Sequence, residues 1–492
     1  MGLNIGGVVE KVNGHELSYS TFVEKYLSKN EPVVITGFMD DWRACRDWVF
    51  DDGRPNLQFI SSNFGDSKVQ VADCGSREFT EQKRFEMSVS EFIDQWLEFS
   101  LLEHGNHPPS KLKGKTLLYL KDWHFVKEYP EYTAYTTPLF FLDDWLNLYL
   151  DHYHMHEDPD TNQKRDDLRC SDYRFVYMGA KGTWTPFHAD VFRSYSWSAN
   201  VCGKKQWYFL SPGQRHLVFD RNMKSSVYDI FEEVSETIFP NFKKTIWLEC
   251  TQDQNEIIFV PSGWFHQVHN LEDTISINHN WFNAYNLSWV WDLLLGDYKE
   301  ATEYIEDVKD ICDDFEGLCQ RNLAANTGMN FYDFFNFMVR FSFANILQLC
   351  HLAGSSAFAK WRSSCKAQHF IFNLESTKDI AIKMKFTCLS EIHNFSLDFR
   401  SILEEPAFLE LCFQLERTGA FIHDQHAPID NTKKYSMDDL VDLGFCNLFS
   451  TVVCNPEDLV ILIDRTLQNL IILPWERSRM AGVNEIEFPA SL

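Results

Sequence analysis

Hydrophobic positions recur with two different periods along the chain, and the change falls near residue 287. Before it, apolar runs of strand length at 32–37, 116–120, 174–178, 207–210, 256–260 and 274–280 are punctuated by Pro, Gly and polar turns. Few of them are separated by a helical period, which predicts an antiparallel sandwich or barrel rather than a parallel sheet. Two helix starts have capping-box spacing, Thr21-x-x-Glu24 ahead of Phe22, Val23, Tyr26 and Leu27, and Ser88-x-x-Glu91 ahead of Phe92, Ile93, Trp96 and Leu97. After 287 the period becomes helical. Trp289, Trp291, Leu293 and Leu294 open a helix that turns acidic over 300–314, and the run FYDFFNFMVRFSF at 331–343 is apolar on most sides. That run predicts packing between helices, not a cofactor-binding face. The expected organisation is a mainly β domain with flanking helices over 1–286 and a helical domain over 287–492. The polar, His- and Asp-rich stretch 151–172 reads as a surface loop.

Charge changes the list of partners. Lys and Arg number 45 against 71 Asp and Glu, a net −26, which repels phosphate backbones and anionic lipid and suits a basic protein segment. Direct nucleic-acid and membrane partners are therefore not expected. The 13 cysteines are odd in number, scattered and never in a CxxC, which argues against a disulfide framework or zinc knuckles. With no signal-peptide pattern and no apolar run of about 18 residues, a cytoplasmic location is expected, a nuclear one being compatible with the same features.

A histidine followed two residues later by a carboxylate on a strand presents both side chains to one face and can chelate a metal. With 71 acids in 492 residues, 17 histidines yield about 2.5 such pairs by chance, so the flanks must decide. His156-x-Asp158 lies in the polar loop beside His152 and His154, where solvation is the simpler reading. His188-x-Asp190 follows the apolar run RFVYMG and a Gly182–Pro186 turn and precedes Val191, Phe192 and Tyr195. A third ligand is offered by His266, just beyond the strand and Pro/Gly turn of EIIFVPSGWFH. Two histidines and one carboxylate leave open positions on a six-coordinate metal, the arrangement used by non-haem Fe(II) oxygenases. The turn and strand NVCGKKQWYF place Lys205, Trp207 and Phe209 on one face. A lysine inside a pocket needs an anion; Lys204, on the other face, reads as surface charge. In TISINHN, Thr274, Ser276, Asn278 and Asn280 share a polar face that suits a pocket lining.

The pieces FHAD (187–190), GKKQW (203–207), VPSGWFH (260–266) and ISINHNW (275–281) together resemble the JmjC domain of 2-oxoglutarate- and Fe(II)-dependent oxygenases, over roughly residues 17–286. The resemblance implies a double-stranded β-helix of the jelly-roll or cupin kind, with Fe(II) bound by His188, Asp190 and His266. It also implies 2-oxoglutarate held through its distal carboxylate by Lys205, with Thr185, Asn278 and Asn280 at the family's polar positions and Tyr119 at its upstream tyrosine, and O2 as the second cosubstrate. Longer strings, YLKDWH (119–124), DYRFVYMG (172–179) and FRSYSWSANVCGKKQW (192–207), are similar to one branch of the family, whose activity is lysyl 4-hydroxylation of the NIKS motif in the eukaryotic translation termination release factor. That branch implies a release-factor substrate and a role in translation termination. The segment 151–172 is longer than the branch's pattern.

Two other functions compete. A JmjC lysine demethylase would use the same residues, but most of those enzymes carry Glu where this chain has Asp190, and no Cys/His-rich reader module or basic patch accompanies the domain. A non-catalytic cupin-type binding protein would leave the ligand set without a purpose.

Overall fold

Short strands, several of them buried on both faces, make up most of the first half of the chain. In chain order these are β1 (Ile5–Val8), β2 (Glu10–Asn13), β3 (Val33–Thr36), β4 (Lys68–Glu78), β5 (Glu81–Ser88), β6 (Leu118–Trp123), β7 (Arg174–Gly179), β8 (Trp184–His188), β9 (Tyr195–Cys202), β10 (Lys205–Leu210), β11 (Trp247–Gln252), β12 (Glu256–Val260), β13 (Phe265–Asn270) and β14 (Thr274–Trp281). The computed structural model describes residues 2–104, 116–155, 171–355, 361–386, 396–423 and 451–483.

One sheet has the order β1-β11-β10-β13-β8 and the other β2-β3-β12-β9-β14-β7-β6-β4-β5. The strands β7 to β14 pair as a nested hairpin: β7 with β14, β8 with β13, β9 with β12, and β10 with β11, all antiparallel. A long hairpin wound this way across two facing sheets is a double-stranded β-helix, the expected fold. Its interior is apolar. Val34, Ile258 and Val260 from the larger sheet meet Trp207, Phe209, Cys250 and Val268 from the smaller, and burying such side chains stabilises by roughly 1.5–3 kcal/mol each. The central strand β9 is buried along its whole length. At the β9–β10 turn Gly203 has φ +75°, and an added Cβ would meet the Asp273 carbonyl oxygen at 2.1 Å, so only glycine fits there.

The flanking helices follow their caps. Ser88 and Glu91 close a reciprocal capping box, the Ser88 N–H donating to Glu91 Oε2 at 2.7 Å and the Glu91 N–H to Ser88 Oγ at 3.1 Å, and the helix Val89–His104 starts there. The other expected box is displaced. Ser18, not Thr21, caps the helix Tyr19–Phe22, its hydroxyl accepting from the Thr21 N–H at 3.1 Å, because the chain is still extended at Ser18 and already helical at Thr21.

The chain divides into two compact units, Met1–Phe141 with Cys170–Phe282, and Leu142–Arg169 with Asn283–Leu492. This differs from a single cut at 286. The reason is aromatic: Trp145, on the helix Trp145–Leu150, stacks on Phe341 at 4.6 Å, and Tyr149 meets Phe337 edge-on at 5.2 Å. Both partners lie on the helix Phe331–Ser355, where Phe334, Phe335, Phe337 and Phe341 are fully buried. Other helices of this unit include Leu287–Tyr304, Phe315–Thr327, Cys365–Lys385 and Pro406–His423. The His156/Asp158 pair and most of the 151–172 stretch lie outside the described residues.

Candidate metal and cosubstrate site

His188 is the last residue of β8 and His266 the second of β13, and the two stand opposite each other in the β8–β13 pairing. Their rings lie 4.4 Å apart. Asp190 is not on the strand, as the spacing suggested. It lies two residues past the end of β8, ahead of the short helical turn Val191–Arg193, in which Phe192 and Arg193 have positive φ. The tight turn brings its carboxylate back to the histidines, so that one ligand atom from each of the three lies within 4.8 Å of the others. Among the described residues no other His, Cys, Asp and Glu set is arranged in this way.

Each ligand is aimed by a partner. His188 Nδ1 is 2.8 Å from the Pro186 carbonyl and His266 Nδ1 is 3.1 Å from the Trp264 carbonyl. A carbonyl only accepts, so both Nδ1 atoms carry a proton, and Nε2 is the ring atom left to ligate a metal. Ser196 Oγ donates to Asp190 Oδ2 at 2.7 Å, leaving Oδ1 for a metal. Burial and the adjacent His188 push the pKa of His266 down, against the opposing pull of Asp190, which keeps it in the neutral form that ligates.

The triad opens into a cavity of about 500 Å³. Lys205, 2% exposed, projects into it from the start of β10. The ammonium is 3.1 Å from the Tyr119 hydroxyl, and among the described residues no carboxylate pairs with it; burial pushes its pKa down to about 7. Tyr119 fits because β7 ends in Gly179, where a Cβ would stand 2.7 Å from the tyrosine ring. Thr185, Asn278 and Asn280 also line the cavity, Asn278 bonded to Ser276 Oγ and Asn280 to Ser194 Oγ, each at 3.2 Å. Thr274 and Ser276 are buried but do not reach it. Lys204 pairs with Asp253 at 3.1 Å near the surface.

Several cavity residues gave no sequence signal. The pairing of β6 with β7 slips between Leu120 and Trp123, with Asp122 at φ +56°. This bulge turns Asp122 to the cavity beside Tyr119 and Lys121, which the strand period of two forbids in a regular strand. Asp122 is engaged by Arg84 and by the Tyr177 hydroxyl, the latter at 2.6 Å. Tyr173, just ahead of β7, and Phe175 and Tyr177, alternate residues on it, form one aromatic wall.

Whether iron and 2-oxoglutarate fit can be judged from the donors. Three hard or borderline ligands on one side leave the cavity side open, and the cavity offers an unpaired buried ammonium and the buried Ser198 hydroxyl, which has no hydrogen-bond partner. Both groups suit a bound dianion. A double-stranded β-helix with this triad at its mouth and a lysine within defines a cupin-like, JmjC-type oxygenase. Residues 19–286 match the Cupin-like domain model, and the chain belongs to this family of 2-oxoglutarate and iron-dependent oxygenases. It is 56% identical over 464 residues to the Arginine-specific demethylase JMJ20 of Arabidopsis thaliana, covering 94% of this chain and 97% of that protein. It is 40% identical to the 2-oxoglutarate and iron-dependent oxygenase JMJD4 of Danio rerio, covering 66% and 72%, and 37% identical to that of Homo sapiens, covering 65% and 72%. When bound, iron with 2-oxoglutarate and O2 supplies the oxidising chemistry; the protein supplies placement.

Proposed function

We propose that the chain is a protein lysyl hydroxylase whose substrate is the NIKS-motif lysine of the translation termination release factor, acting in the cytoplasm. In this reading His188, Asp190 and His266 hold Fe(II), and Lys205 with Tyr119, Thr185, Asn278 and Asn280 holds 2-oxoglutarate. The observation that carries it is the cavity facing the triad: one wall is the aromatic strip Tyr173, Phe175 and Tyr177, and the carboxylate Glu81 also lines it. A long side chain with a cationic head packs its methylenes on such rings and keeps its charge beside acids. The net −26 of the chain favours a basic segment as substrate. Orientation then selects the carbon presented to the metal.

The same wall accommodates a guanidinium, and the name of the 56% identical Arabidopsis relative supports a second reading, removal of methyl groups from arginine. Both reactions oxidise a C–H bond; they differ in whether the carbon belongs to the side chain or to an N-methyl group. Tandem mass spectrometry on a release-factor fragment and on arginine-methylated and lysine-methylated histone peptides separates them. One added oxygen on the release-factor lysine is expected. Formaldehyde release from a methylated peptide, with an unmodified release factor, overturns the lysyl reading.

A further inference from the structure

The cavity contains two buried ammonium groups, and the reading above uses one. Lys121 is 4% exposed and lines the same cavity as Lys205. It has few partners: Nζ donates to the neutral Gln82 Oε1 at 2.9 Å, which satisfies one of three N–H groups. The nearest acid in sequence, Asp122, is already occupied by Arg84 and Tyr177, and among the described residues no carboxylate lies within ion-pair distance of Lys121. A buried ammonium without an anion is costly, and burial indeed pushes its pKa down to about 8.

Both lysines share one reference point, Tyr119. Lys205 Nζ is 5.7 Å from the centre of the tyrosine ring and 3.1 Å from its hydroxyl, so it lies off the hydroxyl end; Lys121 Nζ is 5.2 Å from the same centre. Tyr119 and Lys121 are two residues apart on β6 and project from the same face. Resting on the cosubstrate assignment, we propose that Lys121 is a second binding group for the distal carboxylate of 2-oxoglutarate, completing with Lys205 and the Tyr119 hydroxyl a two-lysine clamp. The alternative role is mechanical: Gln82 also donates to the Trp184 carbonyl at 3.1 Å, so Lys121 could serve only to tie β5 down.

The clamp is tested on Mn(II)-loaded full-length protein by calorimetric binding of 2-oxoglutarate and of 2-oxobutyrate, which has the metal-chelating end and lacks the distal carboxylate. Lys121→Met should weaken 2-oxoglutarate about 10-fold or more and leave 2-oxobutyrate unchanged, while Lys121→Arg, which keeps the charge, retains most of the affinity. In the wild-type protein, 2-oxoglutarate should slow reductive methylation of Lys121, read by peptide mass spectrometry, and 2-oxobutyrate should not. Unchanged 2-oxoglutarate affinity in Lys121→Met with a lower melting temperature, equal losses for both ligands, or methylation of Lys121 at the same rate with and without 2-oxoglutarate overturns the clamp. A wild-type protein that binds neither ligand overturns the cosubstrate assignment, and the clamp with it.

Discussion

His188 and His266 face each other across β8 and β13, and each gives its Nδ1 proton to the carbonyl two residues earlier in its own chain. The repetition of one local geometry on two antiparallel strands makes the pair converge. Neither ring depends on a distant side chain for its tautomer, so the histidine half of the ligand set is fixed by the backbone of the β-helix itself.

The carboxylate half depends on Ser196. Its hydroxyl holds Asp190 Oδ2 at 2.7 Å, and Asp190 sits in a turn and not in a strand ladder. Ser196→Ala should lower Fe(II) affinity about 10- to 100-fold while leaving the fold intact by circular dichroism. Asp190→Ala removes a ligand outright and should abolish 2-oxoglutarate turnover to succinate. Retained turnover in Asp190→Ala, or unchanged metal affinity in Ser196→Ala, contradicts these roles.

Lys205 and its neighbour Lys204 should behave oppositely. Lys204 is paired with Asp253 near the surface, whereas Lys205 is enclosed, and a charge-assisted bond to a ligand contributes about 1.5–3 kcal/mol. Lys205→Met should therefore raise the Kd for 2-oxoglutarate roughly 10- to 100-fold, and Lys204→Met should change it less than about 2-fold. A larger loss in the Lys204 variant reverses the assignment.

The sequence made the β-helix legible because short apolar runs of strand length are separated by turns, and the triad legible because His188, Asp190 and His266 are embedded in apolar runs. What it concealed has specific causes. Asp122 reaches the cavity beside Tyr119 and Lys121 through a bulge at its own positive φ, which no alternation rule anticipates. Arg84 lies on β5, whose exposed, charged residues resemble a surface loop. The helix Trp145–Leu150 belongs to the second unit through contacts nearly 200 residues away in sequence, and a linear reading assigns it to the domain that surrounds it.

The Ser88 capping box offers a stability measurement separate from the chemistry. Both of its bonds are formed at the start of the helix Val89–His104, and loss of a hydroxyl N-cap costs about 1 kcal/mol. Ser88→Ala should lower the unfolding free energy by that amount, seen as a lower denaturant midpoint with an unchanged m-value. Thr21→Ala, at the displaced box where Ser18 is the cap, should cost less than Ser18→Ala; the reverse order would restore the cap to Thr21.

The last expectation concerns pH. Burial lowers the Lys205 pKa to about 7, so above that pH the ligand-free protein holds this amine mostly neutral. A dicarboxylate, itself fully ionised above pH 6, binds the ammonium and raises its pKa again, so binding at higher pH must draw a proton from solvent. Apparent affinity for 2-oxoglutarate should therefore fall as pH rises, by roughly 10- to 30-fold between pH 6.5 and 8.5 for a single group titrating near 7. Calorimetry on the Mn(II)-loaded protein in buffers of different ionisation enthalpy should show net proton uptake of roughly 1.5 to 2 at pH 8.5, about one from Lys205 and the remainder from Lys121, and far less at pH 6.5. Uptake should shrink in Lys205→Met, leaving what Lys121 contributes. An affinity independent of pH in the wild-type protein, with no buffer dependence of the heat, would mean that Lys205 keeps its proton throughout and that some other group accommodates the ligand's charge.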